Sequence, residues 1–255
     1  MNKFIVSVDL GFSQDPTAIA VLERDTRPTG AERRQWRDRR YCVEAEWASY
    51  YKLRHLERPP LRTSYLDIVT RIGVILQHPD LRDAATLCVD ATGVGRPVVQ
   101  LMRQHGLEPI PIVITGGIAS SIDVADWTRR VPKKELVSGL TVVFQNSRIE
   151  IAKQLQLAPA LLKELDAFRL KTTKAGNDTF EAWRESDHDD LVFAVAMGVW
   201  LGEREYPRGW KVKNLNPQSE EAQTCAIQTA ERIIEDESDK IAREYRERIA
   251  DFRLI

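Results

Sequence analysis

Short apolar runs separated by polar turns open the chain. Residues 4–8 form a β-rich apolar run, residues 17–22 form a second one, and alternation typical of a strand returns over residues 41–47. The polar stretch of residues 24–40 interrupts this alternation. The pattern therefore predicts a hairpin whose two strands are joined by a long polar tip.

Beyond residue 60, segments of helical and of strand spacing alternate. Helical spacing predicts helices over residues 65–77, 97–105, 132–143, 159–168 and 189–201. Short apolar runs predict strands over residues 85–89, 109–114 and 149–151. An antiparallel meander followed by alternating strands and helices predicts a mixed α/β sheet that is flanked by helices on both faces.

The C-terminal segment has a different composition. Pro207 and Pro217 mark a linker, and residues 219–255 carry ten acidic and six basic side chains at helical spacing. We therefore expect one domain over residues 1–206 and a linker with a charged helical tail over residues 207–255. The tail either packs on the rest of the chain or binds a partner.

Composition restricts the classes of protein that fit. The 255 residues are 43% hydrophobic with a net charge of −1, which excludes disorder along the whole chain. The three cysteines form no CxxC pair, so reduced thiols are expected rather than disulfides or structural zinc. No uncharged apolar stretch reaches the ~18 residues that cross a bilayer. We expect a soluble, cytoplasmic protein without a membrane partner.

Carboxylates stand at the ends of three apolar runs. Asp9 ends the first strand, Asp90 ends a later one, and Asp189 and Asp190 begin an apolar helix directly after His188. A carboxylate in such a place is costly unless it is solvated, paired or bound to a metal ion. If these groups meet at one sheet edge, they form an oxygen-rich site for two Mg²⁺ or Mn²⁺ ions that flank a phosphodiester.

Each of these positions also has a purely structural explanation. Asp9 and Asp90 are suited to turns that end strands, and acidic residues are favourable at the N-terminus of a helix. His188 is a candidate for proton transfer near the metals or for an ordinary helix cap. Only the combination of all three carboxylate positions indicates a catalytic site.

Four sequence blocks occur in an order that carries a family resemblance. They cover residues 8–21, 89–95, 131–137 and 188–192. Together they resemble the nuclease domain of tailed-phage large terminase subunits, a branch of the RNase H-like, RuvC-like superfamily, over about residues 3–202. The resemblance implies an RNase H-like fold and a metal-dependent endonuclease that cuts concatemeric viral DNA during packaging in the host cytoplasm.

The resemblance also implies roles for individual residues. Asp9 bridges both metal ions, Asp90 is the second ligand, and the third ligand is Asp189 or Asp190. Asp187 stands where the family has a small residue, which adds a carboxylate near the site.

The ATPase motor of that family is not recognisable in this sequence. The turn of residues 93–97 lacks the lysine of a phosphate-binding loop. We therefore expect the partners to be double-stranded DNA together with a separate packaging ATPase, the small terminase subunit or the portal.

Two basic regions are candidates for DNA contact. Residues 24–40 hold seven arginines around Trp36, and two further basic pairs flank Pro132. The alternatives are a solvated hairpin and an ordinary helix start. The candidate residues are Arg33, Arg34, Arg37, Arg39, Arg129, Arg130, Lys133 and Lys134. A weaker candidate is a loop with Lys171 and Lys174 around a Gly176-Asn177 turn, while packing is expected for the scattered tryptophans, Trp127 among them.

Three other functions stay open at this point. A RuvC-like junction resolvase would share the acidic site, and a packaging scaffold could keep the fold without activity. An actin-like ATPase is a third alternative, because Asp9-Leu10-Gly11 loosely fits a phosphate loop, but that fold needs two similar domains.

Overall fold

The computed structural model describes residues 3–11, 15–37, 40–174, 189–205, 209–213 and 218–252. The chain divides into two compact units, of which the first comprises Met1–Thr26 and Ser49–Pro207. The second comprises Arg27–Ala48 and Arg208–Ile255. The division at residue 207 that the sequence predicts stays a prediction.

Nine strands and six helices make up the described elements. The strands are β1 (Phe4–Asp9), β2 (Ala18–Arg37), β3 (Arg40–Glu57), β4 (Ala85–Asp90), β5 (Ile110–Thr115), β6 (Ser121–Asp123), β7 (Thr128–Pro132), β8 (Ile149–Ile151) and β9 (Gly209–Val212). The helices are α1 (Tyr65–Leu76), α2 (Gly95–Gln104), α3 (Lys133–Gln145), α4 (Ala158–Lys174), α5 (Asp190–Glu205) and α6 (Glu220–Phe252). No helix among the described residues has the length and apolar character that a membrane span needs.

The strand order defines the fold. The sheet runs β6-β7-β5-β4-β1-β2-β3-β8, and β9 pairs with β3. β2 is antiparallel to β1, whereas β4 pairs with β1, and β5 with β4, in parallel. The order β3-β2-β1-β4-β5 with a reversed second strand is the RNase H-like arrangement. The predicted mixed sheet is thereby confirmed, and this arrangement occurs once in the described chain, whereas an actin-like ATPase needs two similar domains.

Alternation along β1 distributes the core of the first unit over both faces of the sheet. Ile5 packs in a cluster with residues of α3 and α5, while Val6 and Val8 pack in a second cluster with residues of α1 and α2. Both clusters consist of apolar side chains withdrawn from water, which is the main favourable term in folding. The prediction of helices on both faces is therefore confirmed.

Glycine lets α5 approach the sheet closely. A Cβ atom at Gly198 would lie 2.6 Å from Leu22 Cδ1 and 2.8 Å from Ser7 Oγ. One turn later, a Cβ atom at Gly202 would lie 2.6 Å from the Tyr51 hydroxyl oxygen. The bulk of a side chain at either position would push α5, and the carboxylates at its N-terminus, away from the sheet.

The structure corrects the predicted hairpin tip. β2 continues to Arg37 and β3 begins at Arg40, so most of the polar stretch is strand. Most of the residues from Asp25 to Gln35 are exposed, and a strand segment that is exposed on both of its faces carries no apolar alternation. The strands β6, β7 and β9 were not predicted either, because segments of three to five residues are too short to show a hydrophobic period. The expected Gly176-Asn177 turn lies outside the described residues.

Candidate catalytic site

The two carboxylates predicted to meet do so where β1 and β4 end. The strands are parallel neighbours with Val8 opposite Val89, so Asp9 and Asp90 follow at the same edge of the sheet. The side chains of Asp9 and Asp90 share a hydrogen bond. Burial, followed by the charges of Asp90, Asp190 and Asp189, raises the pKa of Asp9 well above its usual range. Two buried carboxyl groups in contact are stable only if they share a proton or bind a cation.

Turn geometry holds Asp90 in place. Its Oδ1 accepts a hydrogen bond from the Thr92 main-chain N–H at 2.8 Å, and Thr92 Oγ1 accepts one from the Ile114 N–H of β5 at 2.9 Å. A Cβ atom at Gly95 would lie 2.2 Å from the Asp90 carbonyl oxygen, so only glycine allows α2 to begin there. Asp90 can therefore end its strand in a turn and also belong to the candidate site.

The loop after Asp9 is equally tight. The Gly11 N–H donates to Thr17 Oγ1 at 3.1 Å, and that hydroxyl donates back to the Gly11 carbonyl oxygen at 3.3 Å. A Cβ atom at Gly11 would lie 1.9 Å from the Asp15 carbonyl oxygen. The two ends of the loop thus pack main chain against main chain directly beyond Asp9.

Asp190 is the more buried of the two carboxylates at the start of α5, with its side chain 6% exposed. Arg58 binds both of its oxygens, with Nε at 2.8 Å from Oδ2 and Nη2 at 3.0 Å from Oδ1. The same Nη2 lies 2.5 Å from Glu164 Oε1 of α4. This bidentate pairing fixes the orientation of the Asp190 side chain.

Asp189 is more accessible, with its side chain 37% exposed. Its Oδ2 lies 3.3 Å from Lys133 Nζ, at the start of α3. The same ammonium group lies 4.5 Å from the centre of the Phe193 ring. A single contact from a flexible lysine leaves Asp189 easier to recruit than Asp190.

The structure brings Asp9, Asp90, Asp189 and Asp190 into one electrostatic cluster. Within the described ranges, no group of three or more His, Cys, Asp or Glu side chains is arranged so that it could hold a metal ion. Lys133 and Arg58 engage the two carboxylates of α5 instead. Carboxylate oxygens are nevertheless the donors that Mg²⁺ and Mn²⁺ prefer, and the buried Asp9–Asp90 pair fits a divalent cation. His188 and Asp187 lie outside the described residues.

Arg58 and Glu164 were not recognised from the sequence. Arg58 follows β3 in a Glu-Arg-Pro-Pro segment that matches no motif, and its partner Asp190 lies 132 residues further along the chain. A sequence signal for an ion pair exists only when the partners share a helix turn or face each other on adjacent strands.

The arginines of the hairpin have different environments in the second unit. Arg33 Nη2 lies 2.8 Å from the buried Glu44, and its guanidinium lies 4.4 Å from the Trp210 ring centre. Both Arg33 and Arg34 are exposed, but Arg33 is held by its contacts with Glu44 and Trp210. The side chain of Arg37 and all of Arg39 lie outside the described residues.

The remaining candidates for DNA contact lie on β7 and α3. Arg129 is half-buried, and Arg130 is exposed with its Nη2 at 3.7 Å from Asp123 Oδ2. Lys134 is exposed and neighbours Lys133 at the N-terminus of α3. The side chains of the weaker candidates, Lys171 and Lys174, lie outside the described residues.

The raised pKa of Asp9 predicts a pH-dependent stability. The folded chain binds this proton more tightly than the unfolded chain, so stability falls as the pH rises from the usual carboxyl value, near 3.8, through the raised pKa of the folded state. We expect Asp9→Asn to be more stable than the wild type near pH 7, and the difference to shrink toward about pH 4. The difference in stability is measured by thermal unfolding of both proteins in EDTA across this pH range.

The exposed Asp166 provides the control for this experiment. Asp166→Asn is expected to show no gain in stability that grows with pH. An equal gain for both variants would contradict the role of burial and like charge at Asp9.

Comparisons with known proteins identify similar solved structures. The large terminase nuclease from the thermophilic phage G20c is 16% identical, with a TM-score of 0.44 over 80% of this chain and 82% of that chain. The Mn-soaked terminase nuclease domain of human cytomegalovirus is 15% identical, with a TM-score of 0.43 over 83% of this chain and 88% of that chain. No protein-family model and no curated protein sequence matches the chain.

Proposed function

We propose that the chain is a divalent-metal-dependent endonuclease that hydrolyses double-stranded DNA, in the manner of a terminase that cuts concatemeric viral DNA during packaging. The observation that supports this most directly is the contact between Asp9 and Asp90 at the ends of two parallel strands, with two more carboxylates nearby. Perturbed carboxylates gathered at one sheet edge are typical of catalytic sites.

Asp9, Asp90 and Asp189 would hold two Mg²⁺ or Mn²⁺ ions. Such ions, when bound, stabilise the charge that develops on the phosphodiester and lower the pKa of the attacking water. Asp189 is the proposed third ligand because it is accessible and has one contact with Lys133, whereas Arg58 engages both oxygens of Asp190. Asp190 is then a positioning residue that anchors the start of α5.

The two roles at the start of α5 are separable. Asp189→Asn is expected to bind one Mn²⁺ ion fewer in titration calorimetry while its thermal stability stays within about 0.5 kcal/mol of the wild type. Asp190→Asn is expected to lose about 1–3 kcal/mol, because it weakens a largely buried charged hydrogen bond. The reverse pattern would assign the metal to Asp190.

Lys133 and Lys134 are proposed to bind the DNA backbone. Both stand at the first positions of α3, where main-chain N–H groups and the positive end of the helix dipole favour a phosphate. Lys133 would exchange its contact with Asp189 for one with DNA when the metal ions bind. A separate packaging ATPase, a small terminase subunit or a portal are the proposed protein partners.

Cleavage of supercoiled plasmid tests the proposal. The chain is expected to nick and linearise plasmid with Mn²⁺ or Mg²⁺ and to be inactive in EDTA. Preference for a four-way junction over a linear duplex would favour a resolvase. If the chain cleaves no DNA with either metal, the proposed nuclease activity is rejected, even if the chain binds metal ions.

A further inference from the structure

An exposed tryptophan stands at the turn between β6 and β7. The Trp127 side chain is 68% exposed, and its backbone has φ +58°, a conformation that bulky residues seldom adopt. Its indole is therefore not packed, contrary to the expectation from the sequence. A strained and exposed residue of this kind indicates a functional constraint.

Two side-chain turns keep Trp127 in this position. Asp123 Oδ1 accepts a hydrogen bond from the Ala125 N–H at 3.2 Å, and Asp126 Oδ1 accepts one from the Thr128 N–H at 3.0 Å. Asp123 also lies 3.7 Å from Arg130. Both carboxylates therefore hold the turn, and Asp123 is also paired with Arg130.

The helix that begins at the catalytic site carries two exposed arginines. Gly95 of α2 packs against the main chain of Asp90, and Arg96 and Arg103 lie seven residues apart, on one face and about 10 Å along the axis. In the described part of the chain neither forms an ion pair, and both are exposed. Arg96 is thus the next residue after the one that contacts Asp90.

Strand register places Trp127 close to the catalytic carboxylates, because Asp90 lies opposite Ile112 of β5 and Ile112 lies opposite Arg129 of β7, two residues after Trp127. The pKa of Asp126 is lowered by hydrogen bonds from Thr128 and additionally by the charges of Arg96 and Arg103. At the other end of β7, Lys133 is six residues from Trp127, which is about 20 Å of extended chain.

We propose that Arg96, Arg103 and Trp127 form a DNA-binding strip that holds one strand as it leaves the cleavage site. The two guanidinium groups would contact phosphates, and the indole would stack on an unpaired base. The inference rests on the proposed nuclease function. Two exposed arginines and an exposed indole suit the phosphates and an unpaired base of one nucleic-acid strand, whereas an apolar protein surface would leave both charges without a partner.

Fluorescence anisotropy in EDTA tests the strip with two labelled probes, a blunt duplex and the same duplex with an overhang of about ten nucleotides. Trp127→Ala is expected to weaken binding of the overhang probe about 5- to 100-fold without changing its salt dependence. Arg103→Ala is expected to reduce the slope of log K against log salt by about 0.7–0.9. Leu66→Ala and Arg82→Ala, both at exposed positions of the same unit, are the matched controls and should bind like the wild type.

A second substitution separates stacking from folding. Trp127→Asn removes the indole but suits the left-handed backbone, so it should fold and still bind the overhang probe as weakly as Trp127→Ala. If both variants bind like the wild type, the strip is wrong, whether or not plasmid is cut. If binding depends on Trp127 and the wild type cuts no DNA with either metal, the strip stands and the nuclease proposal fails.

Discussion

Replacing Asp90 by asparagine is expected to lower the rate of metal-dependent plasmid cleavage at least about 100-fold. Metal ions contribute several kcal/mol to stabilising the transition state, and each 1.36 kcal/mol corresponds to a factor of ten. Asparagine retains an oxygen that can accept the Thr92 N–H, so the turn is kept and the charge beside Asp9 is removed. Initial rates of plasmid nicking in Mn²⁺ measure the effect.

The fold itself should not suffer from this substitution. Burial raises the pKa of Asp90, so its ionised form is costly in the folded chain, and Asp90→Asn should unfold at the same temperature as the wild type or higher. Asp80→Asn, at an exposed turn position, is the control and should cut normally. Equal cleavage by Asp90→Asn and the wild type would place the chemistry elsewhere.

Replacing Arg148 by alanine is expected to cost about 3 kcal/mol of unfolding free energy, the largest stability effect that we predict. Its side chain is 4% exposed, and it donates to both Glu203 oxygens at 2.9 and 3.0 Å and to the Ser49 carbonyl at 2.8 Å. Tyr51 also donates to Glu203 at 2.9 Å. Alanine would leave these acceptors without their main donor.

Urea denaturation measures the loss, and Arg232→Ala is the control. Arg232 forms exposed pairs on α6 with Glu235 and Asp236, and such pairs contribute about 0.3–0.5 kcal/mol. A double variant, Arg148→Met with Glu203→Leu, should recover much of the stability because no charge is left unpaired. A loss below about 1 kcal/mol in Arg148→Ala would contradict the structural role assigned to this pair.

Most elements of the first unit follow from local pattern. Residues 65–77 have helical spacing, and the structure has α1 at Tyr65–Leu76 with Ser64 as its N-cap. The strand that ends at Asp90 follows in the same way from a short apolar run. These predictions succeed because burial on one side imposes a period that the sequence displays directly.

Other elements carry no such signal. β2 extends through exposed polar residues to Arg37 because main-chain pairing with β3 holds it in the sheet. β9 also pairs with β3 in a segment that reads as a linker. A strand that is exposed on both faces can have almost any composition, so its sequence shows no alternation of apolar and polar residues.

The candidate site also has features that follow from local sequence and features that depend on the fold. That Asp9 and Asp90 end strands is a property of the sequence, because the end of an apolar run is local information. Their meeting depends on β4 pairing in parallel with β1, which the alternation of strands and helices already favours. Their roles as metal ligands belong to the proposed function.

The tertiary structure alone decided the electrostatic partners. Arg58 binds Asp190 and Lys133 binds Asp189, and the charges of Arg96 and Arg103 act on Asp126, the residue before Trp127. The chain has 37 basic and 38 acidic residues, and any of them could form an ion pair with comparable chemistry. Ion pairing is therefore set by the path of the chain, whereas the hydrophobic pattern is set residue by residue. That difference explains why the sequence located the carboxylates and the fold supplied their surroundings.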